Sequence, residues 1–379
     1  MIVSLETLLA QAMGKTDPAT GAIVPSIIPA TTYVRTLDEN GYLPGRLYAR
    51  DESPMFETVE EALTKLEGGA GAFVFSSGMA ACATLLLAYP TGSTFAVPRV
   101  AFVGLVTLWR DLLPSLGYKV AVYQNESRDD LERVMAEHKP QVLWIETPAN
   151  PTMEITDLTF ARQLCDQYGS HMAVDNTVPT PLVTKPIAFG ADWVTHSSTK
   201  GLNGHHDVVS GALIGKVASG PLWDKIKLTR KYVGGVPGAF DVWLLLRGMQ
   251  TLFLRVPAAN RNTQMLAEYL ETHPKVERVL YPGLPSHPDY ATAQRQMTGG
   301  FGALFSFCVK GGRAEALDVV RKVKVFKVAT SLGGMTSLIE HRATIEGEKS
   351  AVPQNLLRVA VGCENGEDLR KDLEAALRG

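Results

Sequence analysis

The chain lacks most features that mark secreted, membrane or nucleic-acid-binding proteins. Its four cysteines, Cys82, Cys165, Cys308 and Cys363, lie far apart and form no CxxC pair. That gives neither a disulfide framework nor zinc-site spacing, so the expectation is reduced thiols and no metal. No apolar run approaches the roughly 18 residues of a membrane span. The opening segment, MIVSLETLLAQAMGKTDP, carries an acidic residue and has no basic start. A secretory leader is therefore not expected, and the expected location is the cytoplasm. An excess of positive charge is missing too: 37 Lys and Arg face 39 Asp and Glu, a formal net charge of -2. Nucleic acid and anionic membranes select basic surfaces, so neither is an expected partner. Internal repeats and low-complexity tracts are absent.

What is present is an ordinary globular composition, 45% hydrophobic and 20% charged over 379 residues. Such a length suits a large domain with a smaller one attached. Short, often valine-rich runs at 72–75, 94–97, 119–123, 142–145, 172–174, 193–195 and 212–214 read as strands. Helical patterns separate them. The clearest is 157–168, with Asp157 as cap, Gly169 as terminator and an apolar stripe of Phe160, Ala161, Leu164, Cys165 and Tyr168. Strands alternating with helices predict a mostly parallel α/β sheet covered on both faces. Residues 1–50 look like an extended arm. Ser53-Pro54 then starts a helix, with serine as cap and proline in the first turn. The division expected is an arm over 1–50, a large domain over 51–236 and a smaller α+β domain over 237–379. In the last, 239–271 reads as one long helix kinked at Pro257, with strands at 304–309 and 356–361 and helices at 313–324 and 367–378.

Parallel sheets place ligands at the carboxyl ends of their strands, and polar clusters fall at several of those ends. His196-Ser197-Ser198-Thr199-Lys200-Gly201 sets a lysine after a strand and among hydroxyls. A lysine that forms a Schiff base needs a partly desolvated pocket that lowers its basicity. Asp175, ending another strand, reads either as a turn aspartate or as the carboxylate that keeps a pyridine nitrogen protonated. Ser76-Ser77-Gly78-Met79 lies between a strand and a helix, where free amides bind phosphate. The segment matches neither GxGxxG nor GxxxxGK[ST], which weakens nicotinamide and ATP readings. Arg358 lies inside an apolar strand and needs an anion, either a structural carboxylate or a substrate carboxylate. His205-His206-Asp207 has no evident fourth ligand and reads as a hydrogen-bonding loop.

Together these segments resemble the Cys/Met-metabolism, or trans-sulfuration, family of pyridoxal-phosphate (PLP) enzymes. The match rests on LYAR, SSGMAA, ETPANP, VDNT, STKGLNGHHDVVSGALIG, FDVWLLLRGMQTL, YPGLPSHP, ATSLGG and LLRVAVG, in order along nearly the whole chain. The resemblance implies the fold type I (aspartate-aminotransferase-like) architecture, pyridoxal 5'-phosphate as cofactor and a small amino acid as substrate. It also implies a homotetramer built from dimers that share active sites. By the same resemblance, Lys200 would hold the cofactor and move the α-proton, Asp175 would pair with the ring nitrogen, and Asn150 would approach the ring hydroxyl. Gly78, Met79, Ser197 and Thr199 would bind the phosphate, joined by Tyr48 and Arg50 from a neighbouring subunit. Arg358 and Ser331 would hold the substrate carboxylate.

Departures from the family pattern surround the ring. Phe102 stands where a stacked tyrosine is usual; it can stack but cannot donate or accept a proton. Gly104 aligns where methionine γ-lyases carry a cysteine. Thr336 replaces a glutamate linked to substrate choice. RxxNPT appears as Arg50-Asp51-Glu52-Ser53-Pro54-Met55. The expected chemistry is β/γ-elimination or γ-replacement on a homoserine-ester or cystathionine-type amino acid. Two alternatives stand beside it. One is a specialised enzyme forming a C–C or C–N bond from an activated homoserine derivative or sulfonium. The other is a catalytically silent, cofactor-binding descendant.

Overall fold

The computed structural model describes residues 3–378, apart from Asn40, Pro44 and residues 348–351. Seven strands form its large sheet: β1 (Gly71–Phe75), β2 (Thr94–Pro98), β3 (Lys119–Tyr123), β4 (Val142–Glu146), β5 (His171–Asp175), β6 (Trp193–His196) and β7 (Gly211–Gly215). They are the seven runs read from the sequence. Their order is β1-β7-β6-β5-β4-β2-β3. β7 is antiparallel to both neighbours and the other pairs are parallel.

The strand period explains why the runs are almost continuously apolar. In β4, Leu143 and Ile145 enter one core while Val142 and Trp144 enter the core on the opposite face. In β1, Ala72 and Val74 separate from Phe73 and Phe75 in the same way. With both faces covered, neither side of the alternation can be polar. Truncating Trp144, which is fully buried, would cost about 3–5 kcal/mol.

Helix α1 (Pro54–Glu67) starts as expected, with the Ser53 side chain accepting the Met55 amide. Helix α2 (Gly78–Leu87) packs on the other face. Helix α3 (Leu158–Tyr168) is capped by Asp157, which accepts the Thr159 and Phe160 amides, and ends at left-handed Gly169.

The pattern over 239–271 is two helices, α4 (Ala239–Met249) and α5 (Leu252–Glu271), separated at Gln250-Thr251. Pro257 lies inside α5, and the single long helix expected, with its kink at the proline, is instead interrupted upstream at Gln250-Thr251. The Gly248 carbonyl is the physical reason. It accepts the Thr251 amide at 3.3 Å in a tighter turn, together with the Thr251 hydroxyl at 3.0 Å and the Arg255 guanidinium at 2.9 Å, in place of the next amide of a continuous α-helix. The N-terminal segment also differs from a purely extended arm. Leu5–Ala10 forms a short helix capped by Ser4, and Leu9 is fully buried in the large core.

The small sheet contains β8 (Val276–Leu280), β9 (Leu304–Val309), β10 (Lys327–Val328), β11 (Leu338–His341) and β12 (Leu356–Ala360). Its order is β8-β9-β12-β11-β10. Helices α6 (Arg313–Lys322) and α7 (Gly366–Arg378) join the later part of α5 in covering it. Val319, Leu369, Leu373, Leu266 and Leu270 pack with Phe305, Phe307 and Val359. Among the described residues no helix is long and apolar enough to cross a membrane. What matters for function is that β11 and β12 bring their polar residues toward the carboxyl ends of β4, β5 and β6.

Candidate active site

A cavity of about 230 Å³ opens at those strand ends. Its wall includes Gly78, Met79, Phe102, Asn150, Asp175, Ser197, Thr199 and Lys200, brought together from five separate segments. The start of α2 forms one end. Ser77 caps the helix by accepting the Ala80 amide at 3.0 Å. The first-turn amides of Gly78 and Met79 precede any intrahelical partner and remain available to an anion. Gly78 is required by a close approach: a Cβ there would lie 2.8 Å from the Ser197 Cβ. The Ser197 amide is in turn fixed on the Thr177 hydroxyl at 2.8 Å. Thr199 is less free. Its hydroxyl donates to the Ser210 carbonyl at 3.0 Å and accepts the Ser210 amide at 2.9 Å. It can donate to an anion only by releasing that carbonyl.

Asp175 ends β5 and is buried, with Oδ1 accepting the Thr177 amide at 3.0 Å. Burial raises its pKa, opposed by the Thr177 hydrogen bonds and the His196 field. His196 itself is buried against Glu67, with Nε2 2.6 Å from Oε1. The Lys200 amine donates to Ser331 Oγ at 3.1 Å. Burial, and then the positive field of Arg358, push its pKa below that of a free lysine. This is the direction a nucleophilic amine requires.

Of the two partners expected for Arg358, the structure contains the structural carboxylate. It lies in β12 directly opposite Glu340 of β11, and its Nη2 is 2.7 Å from Glu340 Oε1. The same guanidinium donates to Asn150 Oδ1 at 3.2 Å and to the Ser331 carbonyl at 3.0 Å. Arg342 shares Glu340 Oε1 at 3.0 Å, and the Thr330 hydroxyl donates to Oε2 at 2.8 Å. A structural carboxylate is therefore present, and it aims the arginine at the side of the cavity where Lys200 and Ser331 meet.

Some expected residues stand apart. Thr336 is half-buried in the loop entering β11 and does not line the cavity. Tyr48 and Arg50 lie on the exposed arm, with the guanidinium 5.3 Å from the tyrosine ring centroid, outside their own chain's cavity. The His205-His206-Asp207 loop is hydrogen-bonded around Asn203, whose carbonyl meets His205 Nδ1 and whose amide donates to Asp207.

The comparisons with known proteins agree with this geometry. The model of the Cys/Met metabolism PLP-dependent enzymes matches residues 6–378. The chain belongs to that family. A cystathionine gamma-synthase of Mycobacterium tuberculosis is 40% identical over 371 residues, covering 95% of this chain and 93% of the relative. A cystathionine beta-lyase of Coxiella burnetii is 35% identical over 385 residues, covering 98% and 97%. The structure of a Xanthomonas oryzae pv. oryzae cystathionine gamma-synthase in complex with cystathionine superposes with a TM-score of 0.94 at 35% identity, covering 100% of this chain and 98% of that one. The chain is thus a fold type I, PLP-dependent enzyme of trans-sulfuration.

The cavity fits that cofactor chemically. It offers free amides for a phosphate, a buried carboxylate for a ring nitrogen, and an amine of lowered basicity for an aldehyde. Sequence reasoning missed the supporting groups Glu340, Arg342 and Glu67. It met Glu146 only as the first residue of the ETPANP match. The one available signal was that Glu146 is a carboxylate ending a fully buried run, Val142-Leu143-Trp144-Ile145.

Proposed function

We propose that the enzyme acts on an α-amino acid with an activated γ-substituent, of the acylated or phosphorylated homoserine type. It expels that substituent and either releases the product or joins it to a nucleophile. When bound, PLP supplies an electron-poor ring that accepts the charge left by the departing α-proton. The protein's own groups do the rest. Lys200 would hold the cofactor through its amine, and the same amine, when free, would take and return protons at the substrate carbon. Asp175 keeps a proton on the ring nitrogen. Gly78, Met79, Ser197 and Thr199 seat the phosphate. Asn150 meets the ring hydroxyl. Arg358, aimed by Glu340, Asn150 and the Ser331 carbonyl, orients the substrate carboxylate, with Ser331 beside it. Thr336, where the family has a glutamate, is read as a remote influence on substrate choice.

The observation that carries this reading is the convergence of the Lys200 amine, the buried Asp175 carboxyl and the free helix-start amides on one cavity. The names borne by the relatives support the substrate class. Phe102 selects within it. The ring can stack but offers no proton to a leaving group, so a group that departs without protonation is favoured.

The further parts of the reading concern assembly. Residues 1–50 would reach a partner subunit, where Tyr48 and Arg50 complete its phosphate site. Residues 51–236 would hold the cofactor, and 237–379 would present Arg358 and Ser331. Exposed apolar side chains on the arm, including Ile23, Val34 and Leu37, support its burial against a partner subunit; pairing of such dimers into a cytoplasmic homotetramer completes the reading.

Borohydride reduction of the loaded protein, followed by peptide mapping, tests the core assignment: the label is expected on Lys200. An unlabelled Lys200, or full turnover by Lys200→Arg, overturns it. Mass spectrometry of products from O-acyl and O-phospho homoserine, with a panel of thiol, carbon and amine nucleophiles, then identifies the bond formed. Equal turnover of unactivated cystathionine would sink the leaving-group argument.

A further inference from the structure

The ring that flanks the cofactor slot belongs to Phe102, a side chain with no polar atom by which it can be tethered. Its position must come from backbone and packing. The packing is visible at Gly104: a Cβ there would lie 2.6 Å from Phe102 Cε1 and 3.2 Å from Met79 Sδ. The ring therefore occupies the space that a side chain at 104 would fill, and rests toward the Met79 thioether. The backbone restraint comes from Glu146. Its Oε2 accepts the Phe102 amide at 2.9 Å, while its Oε1 accepts the Asn150 amide at 3.0 Å. Phe102 precedes the short helix Val103–Thr107 and caps it with no side-chain hydrogen bond; its carbonyl accepts the Leu105 and Val106 amides at 2.8 and 3.1 Å, while its own amide is held by Glu146.

Glu146 is nearly fully buried and lines the cavity beside Asp175, its register partner on β5. A buried carboxyl next to another carboxyl is costly. An apolar residue would suit the end of a buried strand better, unless the two oxygens serve the neighbouring segments. The second of those segments leads onward, since Asn150 Oδ1 accepts Arg358 Nη1 at 3.2 Å.

We propose that Glu146 is a positioning residue that staples the two walls of the cofactor slot, holding Phe102 on one side and Asn150, and through it Arg358, on the other. The inference rests on assigning this cavity to the cofactor. It adds a residue whose effect spans cofactor seating and substrate anchoring together.

Three substitutions separate the parts. Glu146→Ala removes both acceptors. Glu146→Gln keeps one acceptor and turns an amide donor toward the other backbone N–H. Gly104→Ala crowds the Phe102 ring and leaves Asn150 and Arg358 alone. Cofactor dissociation from the purified protein, the induced circular dichroism of bound cofactor, and a kcat against KM analysis are the readouts. Glu146→Ala is expected to weaken cofactor binding on the order of tenfold or more and to raise KM by a similar factor, as expected from losing buried hydrogen bonds. Glu146→Gln is expected to fall between it and wild type. Gly104→Ala should alter the dichroism and leave KM within about twofold of wild type, a span worth under half a kcal/mol.

If Glu146→Ala lowers only the unfolding temperature, with cofactor affinity, dichroism and KM unchanged, Glu146 is merely structural and the proposal is overturned. Should that variant not fold, Glu146→Gln decides by the same readouts. Wild-type protein that takes up no cofactor would instead overturn the cofactor assignment itself.

Discussion

Replacing Arg358 by lysine separates its structural pairing with Glu340 from its proposed role as substrate anchor. The guanidinium reaches Glu340 Oε1, Asn150 Oδ1 and the Ser331 carbonyl at 2.7, 3.2 and 3.0 Å. An ammonium is a point charge and can keep the Glu340 pair, but it cannot hold the two carbonyl oxygens in the same fork. Two hydrogen bonds from a charged donor are then lost, each worth about 1.5–3 kcal/mol. Repacking and water recover part of that. Allowing for this recovery, a net loss of about 3–4 kcal/mol at the anchor corresponds to roughly 10²–10³-fold in kcat/KM. Glu340 stays held by Arg342 and Thr330, so folding should survive. Steady-state kinetics with an amino-acid substrate and its α-carboxamide give the decisive comparison. Wild type should prefer the acid strongly, and Arg358→Lys should lose most of that preference. A variant that retains the full acid-to-amide ratio would show that Arg358 serves Glu340 alone and that another group anchors the carboxylate.

Phe102→Tyr restores a phenol beside the ring and should raise turnover of thiol-leaving substrates by about tenfold or more relative to activated ones, within the usual range for general acid assistance; equal changes in both classes would refute the selectivity argument. Capture of PLP by the apoprotein requires the neutral Lys200 amine, whose pKa is held below the ordinary 10.5 by burial and the Arg358 field. In Arg358→Gln that positive field is gone while Glu340 remains, so the pH midpoint of capture should move upward; a midpoint that is unchanged or lower contradicts the electrostatic account. Mixing inactive Lys200→Ala and Arg50→Ala proteins should restore activity toward about a quarter of wild type if subunits exchange and sites are shared across a dimer; no recovery in demonstrably mixed oligomers would place Arg50 outside its partner's site.

The sequence made the large sheet legible because each of its strands carries its own signal. A run such as Val142-Leu143-Trp144-Ile145 is apolar on both faces and too short for a helix, and the fold needs nothing more to place it. The cap at Asp157 and the stop at Gly169 are local chemistry too, and the structure contains both. The break between α4 and α5 was not legible. Pro257 is the strongest local breaker in that segment, yet it lies inside α5, as its sixth residue, and the helix continues through it. At the end of α4 the Gly248 carbonyl is shared by Thr251 and Arg255, a competition with no sequence signature.

The site divides along the same line. Lys200, Asp175 and Gly78 lie within a few residues of strand ends, so strand placement alone sends them to the ligand edge of the sheet. The groups that aim them come from afar. Glu146 grips an amide 44 positions away, and Arg358 reaches Asn150 across 208. A carboxylate at such a place looks like any strand-terminal glutamate until the chain has folded. Residues that meet the cofactor are constrained by its chemistry and therefore recur as motifs. Residues that position them are constrained only by what happens to pack beside them. Phe102 joins the two groups. It occupies a motif position but has lost the motif's polar atom, so its orientation passes to Gly104, Met79 and Glu146. The substrate selectivity of this enzyme should consequently respond to substitutions at Glu146 and Gly104, which carry none of the reacting groups.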